Sequence, residues 1–384
     1  MRYDVAIIGA GVHGASAAFH LAGRGTRTLV IEKDSPAAGP TGRSSGICRA
    51  YYTNHFLARM ARDSIAMLEQ FGELTGGRDG GFHRTGFLFL HPVADEHRAR
   101  ATVGRLEALG VRLEVLDQAA LAAGFPAFDL GGVGVGVWEP GAGYADPSGV
   151  TTGLLGSAVD RGVDLMLGQR VVGIRTMRSG VEIVVANGDT VACDRALIAA
   201  GPWTRRLARM VNVDLPLTVE RHVVALMGWG SIARLPFGHA DLASEYYCKP
   251  EGEQRFCLGW LHPASHADPD DDRDAIAPEE MLALAEVAAH RVPMLADAEI
   301  RGGWTGLYDV SPDWQPVIGK IAERIFVDAG TSGHGFKLAP ALGAHVADLV
   351  TGASVDPALE QFHPRRFDSR SLLAAGFGRS RILG

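Results

Sequence analysis

The sequence predicts an α/β protein of two domains, in which an interrupted, doubly wound domain carries a second domain of mixed, mostly antiparallel β-sheet. Three observations predict this fold class. Residues 3–8 form a short apolar run that leads directly into a glycine-rich loop, as in a strand–turn–helix unit. A second glycine-rich loop, residues 330–337, follows another apolar run near the end of the chain. Between them, residues 213–301 contain several segments that alternate apolar and polar side chains, the period of half-buried strands.

The first glycine-rich loop has the spacing of a dinucleotide-binding turn. Residues 9–14 form the pattern G-x-G-x-x-G, and a helix is expected over about 15–24. In such a loop the glycines permit a tight turn, a close approach of a pyrophosphate and close helix–strand packing. A second strand over residues 28–31 ends in Glu32, whose carboxylate can bind a ribose hydroxyl. The unit predicts a Rossmann-type site without deciding between FAD and NAD; the alternative is a glycine-rich turn in another βαβ unit.

Composition limits the classes of partner. The net charge of −7 and the isoelectric point near 6.1 argue against nucleic acid or an anionic membrane. Four scattered cysteines, without the spacing of a metal site, indicate a reducing compartment and neither a metal nor a disulfide framework. The first strand leaves no room for a signal peptide, and no apolar run is long enough to span a bilayer. We therefore expect a cytoplasmic protein.

The middle of the chain alternates loops and periodic segments. Residues 33–49 form a Gly/Ser/Pro loop that either wraps part of a cofactor or is a flexible surface loop. Helical periodicity predicts helices over about 54–74, 94–110, 149–161 and 278–291, and a helix start at 117–121. Strands are predicted over 87–90, 133–139, 195–203, 219–227, 244–247 and 256–260, with strands or a hairpin in 163–185 and a turn near 187–188.

The last part of the chain is expected to return to the first domain. Residues 303–319 are interpreted as turn-rich, and residues 325–329 as a buried strand. The second glycine-rich loop then begins a helix to about residue 350, with Pro340 in its first turn. The tail from residue 364 is expected to be solvated or to contact a partner. The resulting domains are 1–80, 145–212 and 302–384 for the cofactor, and 81–144 and 213–301 for the substrate.

Several separated segments together resemble one family. They are GRSSGICRAYY at 42–52, ALIAAGPW at 196–203, GLYDVSPDWQPVIG at 306–319 and AGTSGHGFKLAPALG at 329–343. With the N-terminal loop, they resemble the FAD-dependent D-amino-acid oxidase superfamily. The nearest likeness is to the sarcosine oxidase and dimethylglycine dehydrogenase branch, including the β subunit of multi-subunit sarcosine oxidases. The resemblance spans residues 3 to about 350 and implies FAD rather than NAD.

The resemblance implies a set of cofactor-binding residues. They lie in the first loop and the strand after it, the Gly/Ser loop, two interior strands and the second glycine-rich loop. They are Gly9, Gly11, Val12, His13, Gly14, Glu32, Lys33, Gly42, Arg43, Ser44, Ser45, Gly46, Val171, Ala200, Gly201, Trp203, Gly306, Gly333, His334, Gly335, Phe336 and Lys337.

The resemblance also implies residues that act on the substrate. Arg49 matches an arginine that holds a substrate carboxylate, and Lys337 matches a lysine that shares this task. A guanidinium fork and an ammonium group suit a carboxylate on chemical grounds as well. Alternatively, Arg49 forms an internal salt bridge and Lys337 contacts the flavin. His334 would lie near the flavin ring, whereas Tyr247 and Tyr308 line the substrate cavity or pack in the core.

Two positions depart from the family pattern. Gly306 stands where covalently flavinylated sarcosine oxidases carry a cysteine, so FAD is expected to be non-covalent. Cys257 stands where those enzymes carry a lysine that activates oxygen, which favours a dehydrogenase or electron transfer to a partner redox protein over reaction with O2. Lys249 is a candidate to compensate.

The expected function is oxidation of a small carboxylate-bearing amine, a secondary or N-methyl amino acid, by hydride transfer to flavin N5. Three alternatives stay open: an FAD-dependent 2-hydroxy-acid oxidoreductase, the flavin subunit of a hetero-oligomeric dehydrogenase, and an NAD-dependent dehydrogenase.

Overall fold

The computed structural model describes residues 2–270, 275–374, 376–377 and 383–384. Its strands in chain order are β1 (Arg2–Ile8), β2 (Thr28–Ile31), β3 (Ile47–Cys48), β4 (His83–Arg84), β5 (Phe87–Pro92), β6 (Glu114–Leu116), β7 (Val133–Glu139), β8 (Gly143–Tyr144), β9 (Asp164–Met166), β10 (Val171–Met177), β11 (Gly180–Val185), β12 (Thr190–Ile198), β13 (Thr218–Gly228), β14 (Gly238–Asp241), β15 (Tyr246–Glu251), β16 (Arg255–Trp260), β17 (Ser265–His266), β18 (Glu299–Val310), β19 (Val317–Ala322) and β20 (Ile325–Ala329). Its α-helices are α1 (Val12–Gly23), α2 (His55–Glu69), α3 (Phe71–Thr75), α4 (Glu96–Glu107), α5 (Gln118–Gly124), α6 (Pro147–Asp160), α7 (Thr204–Arg209), α8 (Pro278–Arg291) and α9 (Gly335–Thr351). None of these helices has the length and apolar character needed to cross a bilayer.

The first sheet has eight strands and a parallel centre. β1 lies between β2 and β12, β9 lies outside β2, and β20 pairs with β12, all in parallel. The hairpin of β10 and β11 and the strand β19 join it in antiparallel pairs. Val5 and Ile7 pack into the core that includes α1 and α9, whereas Ala6 and Ile8 pack into the core of the opposite face. Because the carboxyl ends of the parallel strands meet at one edge, ligands of such sheets bind there.

The second sheet has nine strands. Eight of them follow the order β17-β13-β16-β15-β14-β5-β7-β6, and the ninth, β18, pairs with β13. All of its pairs are antiparallel except β14 with β5. Helix α8 packs against it, and Leu284 and Ala288 of this helix are fully buried. The expected fold class, a doubly wound sheet beside a mixed, mostly antiparallel sheet, is therefore confirmed.

Side-chain caps explain several helix starts. Asn54 Oδ1 accepts the backbone N–H groups of Phe56 and Leu57 at the start of α2. Asp117 and Asp146 make the same kind of bond at α5 and α6. These caps satisfy N–H groups that have no partner within the helix.

Two expectations about strands are corrected. Residues 303–319 are not mainly turns, because β18 continues to Val310 and β19 begins at Val317. Glycine in β18 allows this strand to pack closely against β13, since a Cβ on Gly303 would lie 2.5 Å from the Val224 carbonyl oxygen of β13. The segment predicted at 244–247 is strand β15, which begins at Tyr246.

Two further corrections concern the C-terminal part. Helix α9 begins at Gly335, so Pro340 lies beyond its first turn, inside the helix. The tail is not simply solvated. Arg366 is 6% exposed, and its Nε donates to Asp313 Oδ2 at 2.8 Å. This buried ion pair fixes the start of the tail against the loop between β18 and β19.

Candidate active site

A cleft of about 350 Å³ is lined by residues from both sheets and from the glycine-rich loops. Most predicted site residues line it: Gly9, Gly11, Val12, His13, Glu32, Lys33, Arg43, Ser44, Ser45, Arg49, Val171, Ala200, Gly201, Trp203, Tyr247, Gly306, Tyr308, Gly333, Gly335, Phe336 and Lys337. The carboxyl ends of β1, β2, β12 and β20 all contribute. The fold therefore gathers segments from the whole length of the chain at one edge of the first sheet.

The first glycine-rich loop is shaped by contacts that exclude side chains. Gly9 has φ +110°, and a Cβ there would lie 2.4 Å from the Ala199 carbonyl oxygen. A Cβ on Gly14 would lie 2.0 Å from the Gly9 carbonyl oxygen. Helix α1 begins directly after Gly11, which has no side chain to cap it, and of its first N–H groups that of Val12 donates to Thr41 Oγ1. Its first N–H groups and its dipole therefore face the cleft and suit a diphosphate.

Glu32 holds the loop in this shape. Its Oε2 accepts the Ala10 N–H at 2.8 Å, and its Oε1 accepts the Asp34 N–H at 2.9 Å. Each carboxylate oxygen has a second lone pair, so Glu32 can still accept a ribose hydroxyl. Beside it, Lys33 Nζ lies 4.3 Å from the Trp203 ring centroid, and this cation–π contact closes the same end of the cleft.

Arg49 and Lys337 bring two positive groups to the cleft. Arg49 is 2% exposed; its Nη1 donates to the Tyr51 carbonyl oxygen at 2.7 Å and its Nη2 to the Leu383 carbonyl oxygen at 2.8 Å. Burial and the nearby Arg49 charge lower the pKa of Lys337 to about 7. In the part of the chain that the structure describes, no carboxylate forms an ion pair with Lys337.

One wall of the cleft contains the predicted Tyr247 and Tyr308 together with His222, which the sequence analysis did not identify. Tyr308 stacks on His222 with ring centroids 3.9 Å apart, and both line the cleft. His222 Nε2 lies 3.2 Å from Glu220 Oε2, and both side chains are buried. Burial lowers the pKa of His222 and raises that of Tyr247 and Tyr308. Alternation along β13 places Glu220 and His222 on one face, a signal that was available in the sequence.

Four predicted site residues do not line the cleft. Gly14, Gly42 and Gly46 support the loops from behind, since a Cβ on any of them would clash with a backbone carbonyl oxygen. His334 is fully buried against Tyr52, with ring centroids 5.6 Å apart. Its chain neighbours Gly333 and Gly335 line the cleft, and the expected place of His334 near the flavin ring stays a prediction.

Other lining residues had no signal in the sequence. Thr41 Oγ1 accepts the Val12 N–H at 3.2 Å, which ties the Gly/Ser loop to α1. Asp309 Oδ2 accepts the Gly330 N–H at 2.6 Å and shapes the second glycine-rich loop. Asp328 at the end of β20 pairs with His13. Their partners are distant in the chain, so only the fold brings them to the cleft.

The doubly wound sheet, the two glycine-rich loops and the buried cations define a dinucleotide-dependent oxidoreductase. The family description "FAD dependent oxidoreductase" (DAO) matches residues 4–349. Glycine oxidase of Geobacillus kaustophilus is 27% identical over 91% of this chain and 93% of that protein. Rat dimethylglycine dehydrogenase is 26% identical over 95% of this chain, which spans only 45% of that protein. The structure of L-proline dehydrogenase from P. horikoshii superposes with a TM-score of 0.86 at 24% identity, covering 97% of this chain and 99% of that one.

The chain therefore belongs to the DAO family of FAD-dependent oxidoreductases. The residues present fit FAD. The N-cap residues of α1 and α9 provide no side-chain cap, so N–H groups at these helix starts are available, and buried polar atoms of His13 and Asp328 have no hydrogen-bond partner among the described residues. When bound, FAD supplies the N5 atom that accepts a hydride.

Proposed function

We propose that this enzyme oxidises a small amine that carries a carboxylate, a secondary or N-methyl amino acid of the sarcosine kind. The pair of buried cations at the cleft, Arg49 and Lys337, carries this proposal. A substrate carboxylate would neutralise both, with the guanidinium giving direction and the ammonium giving charge. Fixing the carboxylate orients the C–H bond next to the nitrogen, and orientation of this kind removes much of the barrier to hydride transfer.

Residues 1–80, 145–212 and 302–384 would bind FAD, and residues 81–144 and 213–301 would provide most of the substrate wall. With Gly306 in β18, FAD is expected to be bound non-covalently. Denaturation with acid should then release all flavin into the supernatant, and flavin that stays with the precipitated chain would contradict this expectation.

The neighbourhood of Cys257 supports a dehydrogenase over an oxidase. Lys249 lies opposite Cys257 on the neighbouring strand, but it forms an ion pair with Glu251, and its Nζ lies 4.2 Å from the Tyr144 ring centroid. A cation already neutralised by a carboxylate gives less electrostatic help to the formation of superoxide. Electrons would then leave to a partner redox protein rather than to O2.

The Glu220–His222 pair would accept the proton of the substrate ammonium. The amine must lose this proton before its C–H bond can give up a hydride. Glu220 can hold Nε2–H of a neutral imidazole and leave the Nδ1 lone pair as the base, as in other carboxylate–histidine pairs. His262, His266 and Tyr308 are the other titratable groups around the pair.

His222→Gln is expected to slow flavin reduction about 100-fold at pH 7, within the usual range for a general base. The loss should shrink toward pH 10, where the substrate amine loses its proton to water. Anaerobic stopped-flow measurement of flavin reduction across this pH range tests the prediction. His97→Gln is the matched control, because His97 is exposed on α4 and does not line the cleft. A loss that stays constant with pH would assign His222 a packing role only.

The function as a whole is tested by anaerobic titration of the purified flavoprotein with N-methyl amino acids, primary amino acids and 2-hydroxy acids. Bleaching of the flavin absorbance by the N-methyl class supports the proposal. Bleaching by hydroxy acids alone would overturn it. The rate of recovery after air is admitted separates an oxidase from a dehydrogenase, and copurification of a second flavin or iron–sulfur chain would indicate a subunit of a larger complex.

A further inference from the structure

A buried ion pair lies in the wall of the cleft. His13 is the second residue of α1, and Asp328 is the fourth residue of β20. His13 Nδ1 lies 2.8 Å from Asp328 Oδ2, and their side chains are 12% and 1% exposed. The pair lies between the first glycine-rich loop and the N-terminus of α9, since His13 Nε2 is 2.8 Å from the place of a Cβ on Gly335. Both residues line the cleft.

The remaining polar atom of each side chain is buried without a partner. By strict geometry His13 Nε2 and Asp328 Oδ1 make no hydrogen bond within the described residues, although the Gly335 backbone lies close enough to His13 to raise its pKa. Burial without a hydrogen bond costs more for charged groups than for neutral ones, so a native site of this kind is expected to be completed by a ligand. The site offers one N–H donor and one carboxylate acceptor side by side.

The chemistry of the surroundings selects the ligand group. Asp309 also faces His13, and its charge, together with that of Asp328, raises the pKa of His13 despite burial. Two carboxylates repel a phosphate, whereas a hydroxyl group both donates to a carboxylate and accepts from an imidazolium. The diphosphate of FAD would lie at the N-terminus of α1, and the flavin ring would lie at the second glycine-rich loop. The segment of FAD between them is the ribityl chain, a neutral polyol.

We propose that His13 and Asp328 form a hydroxyl-binding site for the ribityl chain of FAD, in which Nε2–H donates to one hydroxyl and Oδ1 accepts from a hydroxyl of the same chain. The site distinguishes FAD by its open polyol, which the nicotinamide dinucleotides lack. It rests on FAD as the cofactor, not on the identity of the substrate.

The test is binding of FAD analogues to the apoprotein, followed by quenching of flavin fluorescence. FAD and three analogues, each lacking the 2′-, 3′- or 4′-hydroxyl of the ribityl chain, are titrated into wild type, Asp328→Asn and His13→Gln. Each variant should bind FAD about 10- to 100-fold more weakly, the range for a hydrogen bond to a charged group. Wild type should bind one of the analogues as weakly as a variant binds FAD. The variant that lacks the side chain facing the missing hydroxyl should bind that analogue only slightly more weakly than wild type does. Such non-additive losses of affinity indicate a direct contact between the side chain and the hydroxyl.

Losses that are equal for FAD and all three analogues would overturn the proposal, because a pair that only ties α1 to β20 cannot sense a single hydroxyl. Asp348→Asn is the matched control, since Asp348 forms an exposed ion pair with Arg24 away from the cleft. Thermal unfolding of each apoprotein identifies variants that fail to fold. Should Asp328→Asn fail, the comparison of analogues on wild type and His13→Gln decides alone.

Discussion

Lys337→Met is expected to reduce the second-order rate constant of flavin reduction by a carboxylate-bearing amine about 30- to 1,000-fold. Removing one partner from a buried pair of opposite charges costs on the order of 2–4 kcal/mol, much of it from leaving the substrate carboxylate with one cation fewer. Anaerobic stopped-flow spectroscopy with varied substrate gives this constant directly. An amine of the same size without a carboxylate should react equally slowly with wild type and variant.

The same substitution should stabilise the apoprotein. The pKa of Lys337 falls from 10.5 in the unfolded chain to about 7 in the fold. Between these values the unfolded chain binds a proton that the folded chain does not, so the stability of wild type rises with pH across this window. At pH 7 and below the full penalty is present, and methionine removes it. Lys320→Met, at an exposed position of β19, should change neither property. A Lys337→Met apoprotein that is less stable than wild type at pH 7 would mean that the ammonium holds the fold together instead of awaiting a carboxylate.

Gly14→Ala is expected to abolish stable FAD binding. The added Cβ would meet the Gly9 carbonyl oxygen at 2.0 Å, and neither the Cβ, which is fixed to the backbone, nor this backbone oxygen can rotate away. Either α1 moves off β1 or the loop opens, and in both cases the N–H groups that face the diphosphate lose their positions. We expect at least a 100-fold weaker affinity and a purified protein with little flavin absorbance. Equilibrium titration of the apoprotein with FAD measures the affinity.

Gly23→Ala is the matched control for this change. Gly23 lies in the same helix, and the nearest atom to its added Cβ is Arg161 Nη1 at 3.9 Å, an ordinary contact. Alanine there should keep full FAD content and add up to about 1 kcal/mol to the free energy of unfolding, because glycine is the poorer helix former. Equal flavin loss in both variants would contradict the clash as the cause.

Local patterns in the sequence determined much of the fold. β2 and β20 occupy the residues expected of them, as does helix α8, because each is a short segment whose own side chains carry the period and the end signals. The first glycine-rich loop could also be predicted from the local sequence. Its function depends on glycine backbone angles and on one helix N-terminus, and these are properties of neighbouring residues.

The tertiary structure decided the rest. The sequence of β18 by itself predicts turns because it contains several glycines. In the structure β18 pairs with β13, and glycine is necessary where the two strands approach closely. Pro340 sits inside α9 because the loop contacts, not the proline, set where that helix begins. His13 and Asp328 are 315 residues apart. The resemblance placed His13 at the cofactor, but nothing in the sequence indicated Asp328 as its partner. Their meeting depends on which strand lies beside which, and the sequence encodes that only through the packing of the whole core.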